Sequence, residues 1–455
     1  MDNTELHNLD LGAPRFLELQ VTLVLRQLFD TELLKSTALA LVATWPVLSK
    51  RINLARTEFL PSQEPELEGL WKERKLDKTF DEAFPGHKDA VAQHVVDSTI
   101  LNQLVYFSEG LKDQLFPRAL TIRVTSLNDA CLIHFTVQHP LCDANGTYHI
   151  INAYCALLQG KTIEPLRPRQ PLKLREENIP NSPPPQTKTE EPTAVRHKIF
   201  FSNGWIPLLM GGVRQRINQW RGPKRVERTA LIPNFVIDKL AKDAEAAGIR
   251  VTKHDLLMAW IYKCTMPEMS QLAAKKAAGP PQFSFVMNVG RLLQQNAEFH
   301  NLWLVIPTPD PEVEALPKCP PVIQAASHIR AAIVDARRPA PVQQIIDQHS
   351  NVRNSPLGPV DWGCQEPNVV VSSWTNIPLY DLDFVSGDGI HSKPVYVQVG
   401  IKARKDFGFR AVWNKEHGIE SVTSDPLRSL IDRLNFGQIL QRPIAWMAID
   451  RKLKY

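Results

Sequence analysis

The sequence predicts an α/β protein with mixed sheets, and three local patterns carry that prediction. Residues 116–125 alternate in polarity, and the apolar run 130–137 follows after a turn at Asn128-Asp129, so these two segments should form a hairpin. Apolar residues then recur at helical spacing over 147–158. A hairpin that leads into an amphipathic helix favours a mixed or antiparallel sheet over a doubly wound parallel one.

The length and a proline-rich stretch predict two domains. A chain of 455 residues is long enough for two hydrophobic cores. Over 161–193, prolines alternate with charged residues, which is typical of an extended linker. We therefore predict an N-terminal domain over 1–175, a linker and lead-in over 176–225, and a C-terminal domain over 226–455.

The remaining elements follow from periodicity and capping residues. A strand over 16–25 precedes a helix that Asp30 or Thr31 can cap, and Thr252 with Asp255 forms a capping box for a later helix. The other predicted elements are a helix from 234 to a Gly248 cap, a strand and turn over 283–291, helices over 323–338 and 341–349, a strand over 369–374, a hairpin of 395–403 with 407–413, and a helix over 426–434.

The amino-acid composition and net charge indicate which classes of protein and ligand suit this chain. The hydrophobic fraction of 43% and the charged fraction of 22% are ordinary for a globular chain, and a net charge of +5 suits a small anionic ligand better than nucleic acid. The six cysteines and the scattered histidines show no metal spacing, so we expect no metal. We expect a cytoplasmic protein with buried free thiols at Cys131, Cys142 and Cys155, because neither a signal-peptide core nor a membrane-spanning run is present.

His139 is the first candidate for chemistry. It follows the strand 130–137, continues its apolar face, and precedes Pro140, which ends the ladder. Asp143 lies four positions later. A buried imidazole whose tautomer is fixed by a neighbour can take a proton from a hydroxyl. The alternative is a core histidine with Asp143 as a plain helix cap, which is the more frequent meaning of an isolated H-x-x-x-D string.

Two other local patterns have simpler interpretations. Cys142 lies three residues from His139, but an apolar spacer in a tight turn is favoured over a Cys–His nucleophile pair. Gly387-Asp388-Gly389 follows no strand–helix nucleotide signature, which indicates a surface turn and not a phosphate loop.

A second segment, 371–384, contains Ser372, Trp374 and Asp383 in a run similar to S-W-x-x-x-P-x-Y-x-x-D-F. With the H-x-x-x-D residues in the expected order and separation, it resembles the BAHD family of acyl-CoA-dependent acyltransferases, in the filamentous-fungal branch of trichothecene 3-O-acetyltransferase type. The resemblance covers nearly the whole chain. It implies two CAT-like (chloramphenicol acetyltransferase-like) domains with an active-site tunnel at their interface.

The resemblance also implies the reaction and its residues. An acyl group, with acetyl first, would pass from acyl-CoA to a hydroxyl of a specialised metabolite such as a terpenoid or polyketide. His139 would be the general base, while Asp143 would orient its turn and pair with an arginine. Ser372 and Trp374 match positions that line the site, and each could donate a hydrogen bond to the oxyanion. Acyl-CoA is a co-substrate, so we expect no bound cofactor, and we expect a monomer without nucleic-acid or membrane partners.

Three further positions match the family in part. Thr252 lies in a segment similar to the family's S/T-x-x-D-x-L, near the CoA arm, and 288–291 resembles a shortened N-V-R-x-R run. The chain departs from the family's D-F-G-W-G at residues 383–387, where the middle residues are Val385 and Ser386. We expect Asp383 to pair with Arg291, and Ser386 to be a surface hydroxyl that lacks a buried partner.

Two rival functions follow from these departures. A binding or scaffold protein on the same fold would have lost catalysis together with the D-F-G-W-G loop. A condensation-type enzyme would take acyl groups from a carrier protein, but it carries H-H-x-x-x-D, and Gln138 stands where the first of those histidines would be.

Overall fold

The structure is a computed structural model of the chain. The structure describes residues 17–53, 58–60, 69–84, 95–96, 98–107, 116–166, 173–175, 227–232, 234–275, 282–293, 303–307, 321–350, 368–402, 408–414 and 418–424. The predicted linker over 176–225, the dipeptide at 300–301 that resembles the family's G-N, and the predicted helix over 426–434 lie outside the described residues.

The described chain contains both strands and helices, as the sequence predicts. The strands are β1 (Glu18–Leu25), β2 (Ile52–Asn53), β3 (Glu58–Phe59), β4 (Trp71–Lys75), β5 (Val95–Val96), β6 (Leu120–Ser126), β7 (Cys131–Gln138), β8 (Glu227–Ile232), β9 (Gln282–Asn288), β10 (Trp303–Pro307), β11 (Asn368–Ser373), β12 (Phe384–Val385), β13 (His391–Ser392), β14 (Tyr396–Lys402), β15 (Gly408–Asn414) and β16 (Gly418–Ser424). The α-helices are α1 (Thr31–Thr44), α2 (Phe80–Ala83), α3 (Ser98–Val105), α4 (Ala144–Leu158), α5 (Asn234–Ala246), α6 (Lys253–Lys275), α7 (Pro321–Ala336) and α8 (Pro339–Ser350).

The first sheet has five strands in the order β14-β1-β7-β6-β4. The predicted hairpin is confirmed, because β6 and β7 pair antiparallel with Thr125 opposite Leu132. β4 pairs with β6 in parallel, so the sheet is mixed as expected. One face is apolar and packs under α1 and α4, where Leu41 and Tyr154 belong to the same buried core.

The opposite face of this sheet is polar and nevertheless buried. His134 lies there between two threonine hydroxyls, with Nδ1 2.8 Å from Thr22 Oγ1 and Nε2 3.0 Å from Thr136 Oγ1. Arg123 Nη1 donates to the same Thr136 hydroxyl at 3.1 Å. Every residue of β7 is buried, so the alternation of this strand separates an apolar face from a polar one, not a buried face from an exposed one.

The second sheet has seven strands in the order β10-β9-β11-β15-β16-β8-β5. β11 runs parallel to both β9 and β15, and the other neighbours are antiparallel. Its core is built with α5, α6 and α7, including Leu240, Leu257 and Ile329. Both sheets are therefore mixed, which confirms the predicted α/β class.

Two strands cross between the halves of the chain. β14 lies late in the sequence but pairs with β1 of the first sheet, with Val399 opposite Val21. β5 lies early but pairs with β8 of the second sheet. The predicted hairpin of 395–403 with 407–413 is therefore wrong, since β15 pairs with β11 and β16. Alternating polarity along a segment predicts that the segment is a strand. Which strand it pairs with depends on segments that are distant in the sequence. The division at 175 and 226 stays a prediction.

Two kinds of feature are absent from the residues that the structure describes. Within those ranges, no helix combines the length and apolarity needed to cross a membrane. In the same described part of the chain, no three His, Cys, Asp or Glu side chains gather in a group that could hold a metal ion.

Candidate active site

His139 lies one residue beyond the end of β7, in a turn that backbone hydrogen bonds hold. Its side chain is 9% exposed. Its backbone N–H donates to the Leu17 carbonyl at 2.9 Å, and the Leu141 N–H donates to the Gln138 carbonyl at 2.9 Å. These bonds fix the backbone that carries the imidazole, and a general base must be held in a defined position.

Asp143 begins α4 four residues later. One carboxylate oxygen, Oδ1, accepts from the backbone N–H groups of Asn145 at 2.9 Å and Gly146 at 3.1 Å. It is a helix N-cap, and its negative charge lies at the positive end of the helix dipole. This geometry agrees with the orienting role that the family resemblance implies. An arginine partner for Asp143 stays a prediction.

The second sheet reaches this turn through Asn288, which the sequence analysis placed only in a family-like run. Asn288 ends β9, and its Nδ2 lies 3.3 Å from Asp143 Oδ2. Its own Oδ1 accepts from the Gly290 backbone N–H at 2.8 Å. No local sequence signal identifies such a contact, because the two residues lie 145 positions apart.

Ser372 and Trp374 lie at the same edge of the second sheet. β9 and β11 are parallel with Phe285 opposite Val371, so their carboxyl ends, at Asn288 and Ser373, meet there. Trp374 is 1% exposed and packs into the core of the first sheet. Ser372 is half-buried on β11.

The two predicted oxyanion donors contact each other. The Trp374 indole N–H donates to Ser372 Oγ at 3.2 Å. An indole has a single N–H, so the Ser372 hydroxyl, whose oxygen accepts that bond, is the donor with a proton to direct elsewhere. The Trp374 N–H is thus used by Ser372, and the role of either residue at an oxyanion stays a prediction.

The cysteine near His139 does not have the surroundings of a nucleophile. Cys142 is fully buried, and its Sγ lies 3.9 Å from the Thr147 hydroxyl. Burial also raises the pKa of Cys131 to about 12 and raises that of Cys155 further. All three are free thiols. This agrees with the prediction that these cysteines are buried apolar residues.

Thr252 caps α6 as predicted. Its hydroxyl donates to Asp255 Oδ2 at 2.8 Å, and the Asp255 N–H donates back to Thr252 Oγ1 at 3.3 Å. Asp255 is fully buried, with Arg330 Nη1 3.8 Å from its Oδ2. The capping box is confirmed, while a contact of Thr252 with CoA stays a prediction.

A group of three arginines lies around this helix start. Burial lowers the pKa of Arg337, and the positive charges of Arg330 and Arg291 lower it further. Burial likewise lowers the pKa of His254. Arg291 lies in a family-like run, whereas Arg330 on α7 and Arg337 just after α7 carry no motif and lie far from Thr252 in the sequence. We call Arg291, Arg330 and Arg337 the arginine group.

Asp383 has partners other than the predicted one. Its Oδ2 lies 2.7 Å from His391 Nδ1, and Gln159 Nε2 donates to its backbone carbonyl at 2.8 Å. The predicted pair with Arg291 is therefore wrong. The reason is the short β12–β13 ladder, which sets Val385 opposite His391 and so brings the histidine back to Asp383.

Ser386 is also not the surface hydroxyl that was expected. It is 7% exposed, and its Oγ accepts from Gln27 Nε2 at 2.7 Å and from the Ile390 N–H at 3.2 Å. Its own hydroxyl donates to the Asp388 carboxylate. The Gly387-Asp388-Gly389 segment is a turn, as predicted, and Gly389 supplies its positive φ of 80°.

Replacement of Ser386 by alanine should therefore weaken the fold. We expect the free energy of unfolding to fall by about 1–2 kcal/mol, since the Gln27 amide and the Ile390 N–H each lose an acceptor. Urea denaturation measures this change. Ser36→Ala is the matched control, because its exposed hydroxyl only bonds the Leu33 carbonyl of its own helix, and it should stay within about 0.5 kcal/mol of the parent. Equal midpoints for both variants would contradict the buried role of Ser386.

Comparison with solved structures supports the fold. A crystal structure of F. sporotrichioides TRI101 complexed with coenzyme A and T-2 aligns with a TM-score of 0.67 at 15% identity, covering 97% of this chain and 98% of that one. A crystal structure of vinorine synthase aligns with a TM-score of 0.59 at 13% identity, covering 94% and 90%. These similarities show that the chain shares the fold of these two proteins.

Comparison of sequences supports the family. "Acetyltransferase peniE" of Penicillium patulum is 22% identical over 306 residues, and the match spans 60% of this chain and 60% of that protein. Residues 90–422 match the family model described as "Transferase family". This range includes both the His139 turn and the segment around Trp374. Because the model covers well over half of the 455 residues, the chain belongs to the Transferase family.

Proposed function

We propose that this protein is an acyl-CoA-dependent O-acyltransferase that moves an acetyl group to a hydroxyl of a specialised metabolite such as a terpenoid or polyketide. The observation that carries the proposal is the His139 turn, which the carbonyl of Leu17 holds just before β1 and which α4 supports through its N-cap Asp143. The acetyltransferase name of the Penicillium relative and the coenzyme A in the TRI101 complex support the same reaction class.

In the proposed mechanism, His139 takes the proton of the acceptor hydroxyl as that oxygen attacks the thioester carbonyl. The negative charge then develops on the carbonyl oxygen, and the Ser372 hydroxyl, fixed from behind by Trp374, donates to it. The tetrahedral species collapses by breaking the carbon–sulfur bond. The departing thiolate takes the proton from the His139 imidazolium, which restores the base without an acyl-enzyme.

The arginine group supports the choice of an anionic co-substrate. The charges of Arg291 and Arg330 both act on Arg337, and Arg330 lies 3.8 Å from Asp255 in the first turn of α6. Asp255 offsets part of this positive charge, and phosphate is the anion that arginines near a helix N-terminus favour. We propose that Thr252 and the arginine group face the phosphates of CoA.

The proposal extends to the domain organisation, oligomeric state and cellular compartment of the protein. We propose two CAT-like domains divided at the 176–225 linker, working as a cytoplasmic monomer. The free buried thiols of Cys131, Cys142 and Cys155 support a reducing compartment. Light scattering on the purified chain measures the oligomeric state, and a dimer of twice the 51.4 kDa chain mass would contradict the monomer.

Release of free thiol from acetyl-CoA tests the reaction. We expect acceptor-dependent release with a panel of hydroxylated terpenoids and polyketides, and only slow background hydrolysis without an acceptor, because the acceptor oxygen is the nucleophile. The acylated product is identified by its added mass. Silence across a broad panel would favour the binding or scaffold function. Thiol release that requires an acyl carrier protein in place of CoA would favour the condensation-type enzyme.

A further inference from the structure

One side chain from the second sheet contacts the carboxylate that begins α4. Asn288 Nδ2 lies 3.3 Å from Asp143 Oδ2, which is the oxygen opposite to the one that caps the helix. Asn288 ends β9 of the seven-stranded sheet, whereas Asp143 caps α4, which packs on the five-stranded sheet. The contact therefore links the two layers directly at the His139 turn.

The orientation of the Asn288 amide follows from its second bond. Its Oδ1 accepts from the Gly290 backbone N–H at 2.8 Å, and only the oxygen of an amide can do so. The NH2 group must then face Asp143, whose ionised carboxylate can only accept. Rotating the amide by half a turn would break the bond from the Gly290 N–H. It would also bring the amide oxygen of Asn288 against the carboxylate oxygen of Asp143, so the local structure favours a single orientation.

We propose that Asn288 is a positioning residue for acyl transfer. It holds the Asp143 carboxylate, and through the start of α4 the His139 turn, in register with the edge of the second sheet that carries Ser372. The inference rests on the proposed function of His139 and Ser372. An amide suits this task because it provides a donor to the carboxylate and an acceptor to its own backbone at once.

A reciprocal exchange of the two side chains provides the test. Asp143→Asn keeps the cap, because asparagine caps a helix about as well as aspartate. Its single oxygen then serves the cap, so its NH2 meets the NH2 of Asn288. Asn288→Asp keeps the acceptor for Gly290 but sets two carboxylates against each other. In the double variant, the amide introduced at position 143 donates to the carboxylate introduced at position 288, and the contact is restored in reverse.

We expect each single variant to lower kcat about three- to tenfold, as the loss of one partly exposed hydrogen bond to a charged group does. KM for acetyl-CoA should stay within about twofold, and the double variant should recover to within about twofold of the parent kcat. A merely structural contact would leave kcat of the single variants unchanged at temperatures where all four proteins are folded. There would then be no loss of kcat for the double variant to recover.

The control is the same exchange at a distant pair. Asn128 Nδ2 donates to Asp77 Oδ1 at 2.9 Å in an exposed turn. Asp77→Asn, Asn128→Asp and their double variant should leave kcat unchanged within about twofold. Loss of kcat in these variants equal to that at 143 and 288 would overturn the inference, since it would show a general response to the exchange.

Urea midpoints on the same proteins separate this inference from the proposed function. The contact predicts lower midpoints for both single variants at 143 and 288 and a recovery in the double variant, whether or not acyl transfer occurs. Failure of the parent protein to transfer acyl groups would sink the proposed function, with the contact still measured by stability. Recovery of the midpoint without recovery of kcat in an active enzyme would overturn the positioning role.

Discussion

Replacing His139 with alanine should lower turnover by about two to four orders of magnitude, which is the usual contribution of a general base. The loss should fall on kcat, because the imidazole acts as the acceptor proton is transferred. The variant should fold normally, because the turn is held by backbone bonds from His139 to Leu17 and from Leu141 to Gln138, which alanine keeps. Thiol release at saturating acetyl-CoA, with a thermal melt of each protein, measures both effects.

His149→Ala provides the matched control for this experiment. His149 lies on α4, ten residues from His139, and its side chain is exposed. We expect its turnover to stay within about twofold of the parent, as exposed substitutions usually do. Turnover near that of the parent in His139→Ala would show that another group takes the acceptor proton, and the proposed mechanism would fail at its first step.

Replacing Asp143 with alanine should lower stability and turnover together. The backbone N–H groups of Asn145 and Gly146 lose their acceptor, which costs about 0.5–2 kcal/mol for a helix cap. The contact with Asn288 is lost as well. We expect a fall in the urea midpoint and, at temperatures where the variant is folded, a fall of about tenfold or more in kcat, since the His139 turn loses its support.

Asp30→Ala separates the cap from the site. Asp30 is the N-cap of α1 and accepts from the Glu32 N–H at 3.0 Å, so its removal costs a similar amount of stability at a distance from the His139 turn. We expect kcat to stay near the parent value in this control. If Asp143→Ala instead melts like the parent while its turnover collapses, the carboxylate takes part in the chemistry and its cap is incidental.

Local patterns in the sequence were sufficient for much of the fold and for the centre of the candidate site. The β6–β7 hairpin, the Asp30 cap and the Thr252–Asp255 capping box are all found where residue type and spacing place them. Each depends on residues within one turn or one hairpin of each other. Backbone preference and one nearby side chain decide such features, so they can be predicted without knowledge of the rest of the chain.

Contacts between distant segments could not be predicted in this way. The family resemblance predicts Arg291 as the partner of Asp383, but the β12–β13 ladder brings His391 to it. Ser386 was assigned to the surface, but Gln27, 359 positions away, donates to it. Arg330 and Arg337 carried no motif that would place them beside Thr252. In each case the partner is set by how two remote elements pack, which no local spacing encodes.

Local sequence patterns predict a mixed α/β chain with His139 at the end of a buried strand and Asp143 at the start of a helix. The spacing of apolar residues, the capping residues and the two family-like segments are sufficient for this prediction, because each pattern involves residues that are close in the sequence. Three features are seen only in the folded protein: β14 pairs with β1, Trp374 donates to Ser372, and Asn288 contacts Asp143. Strand partners and cross-sheet contacts depend on the register of segments that are far apart in the chain, and that register is fixed only when the two sheets pack together.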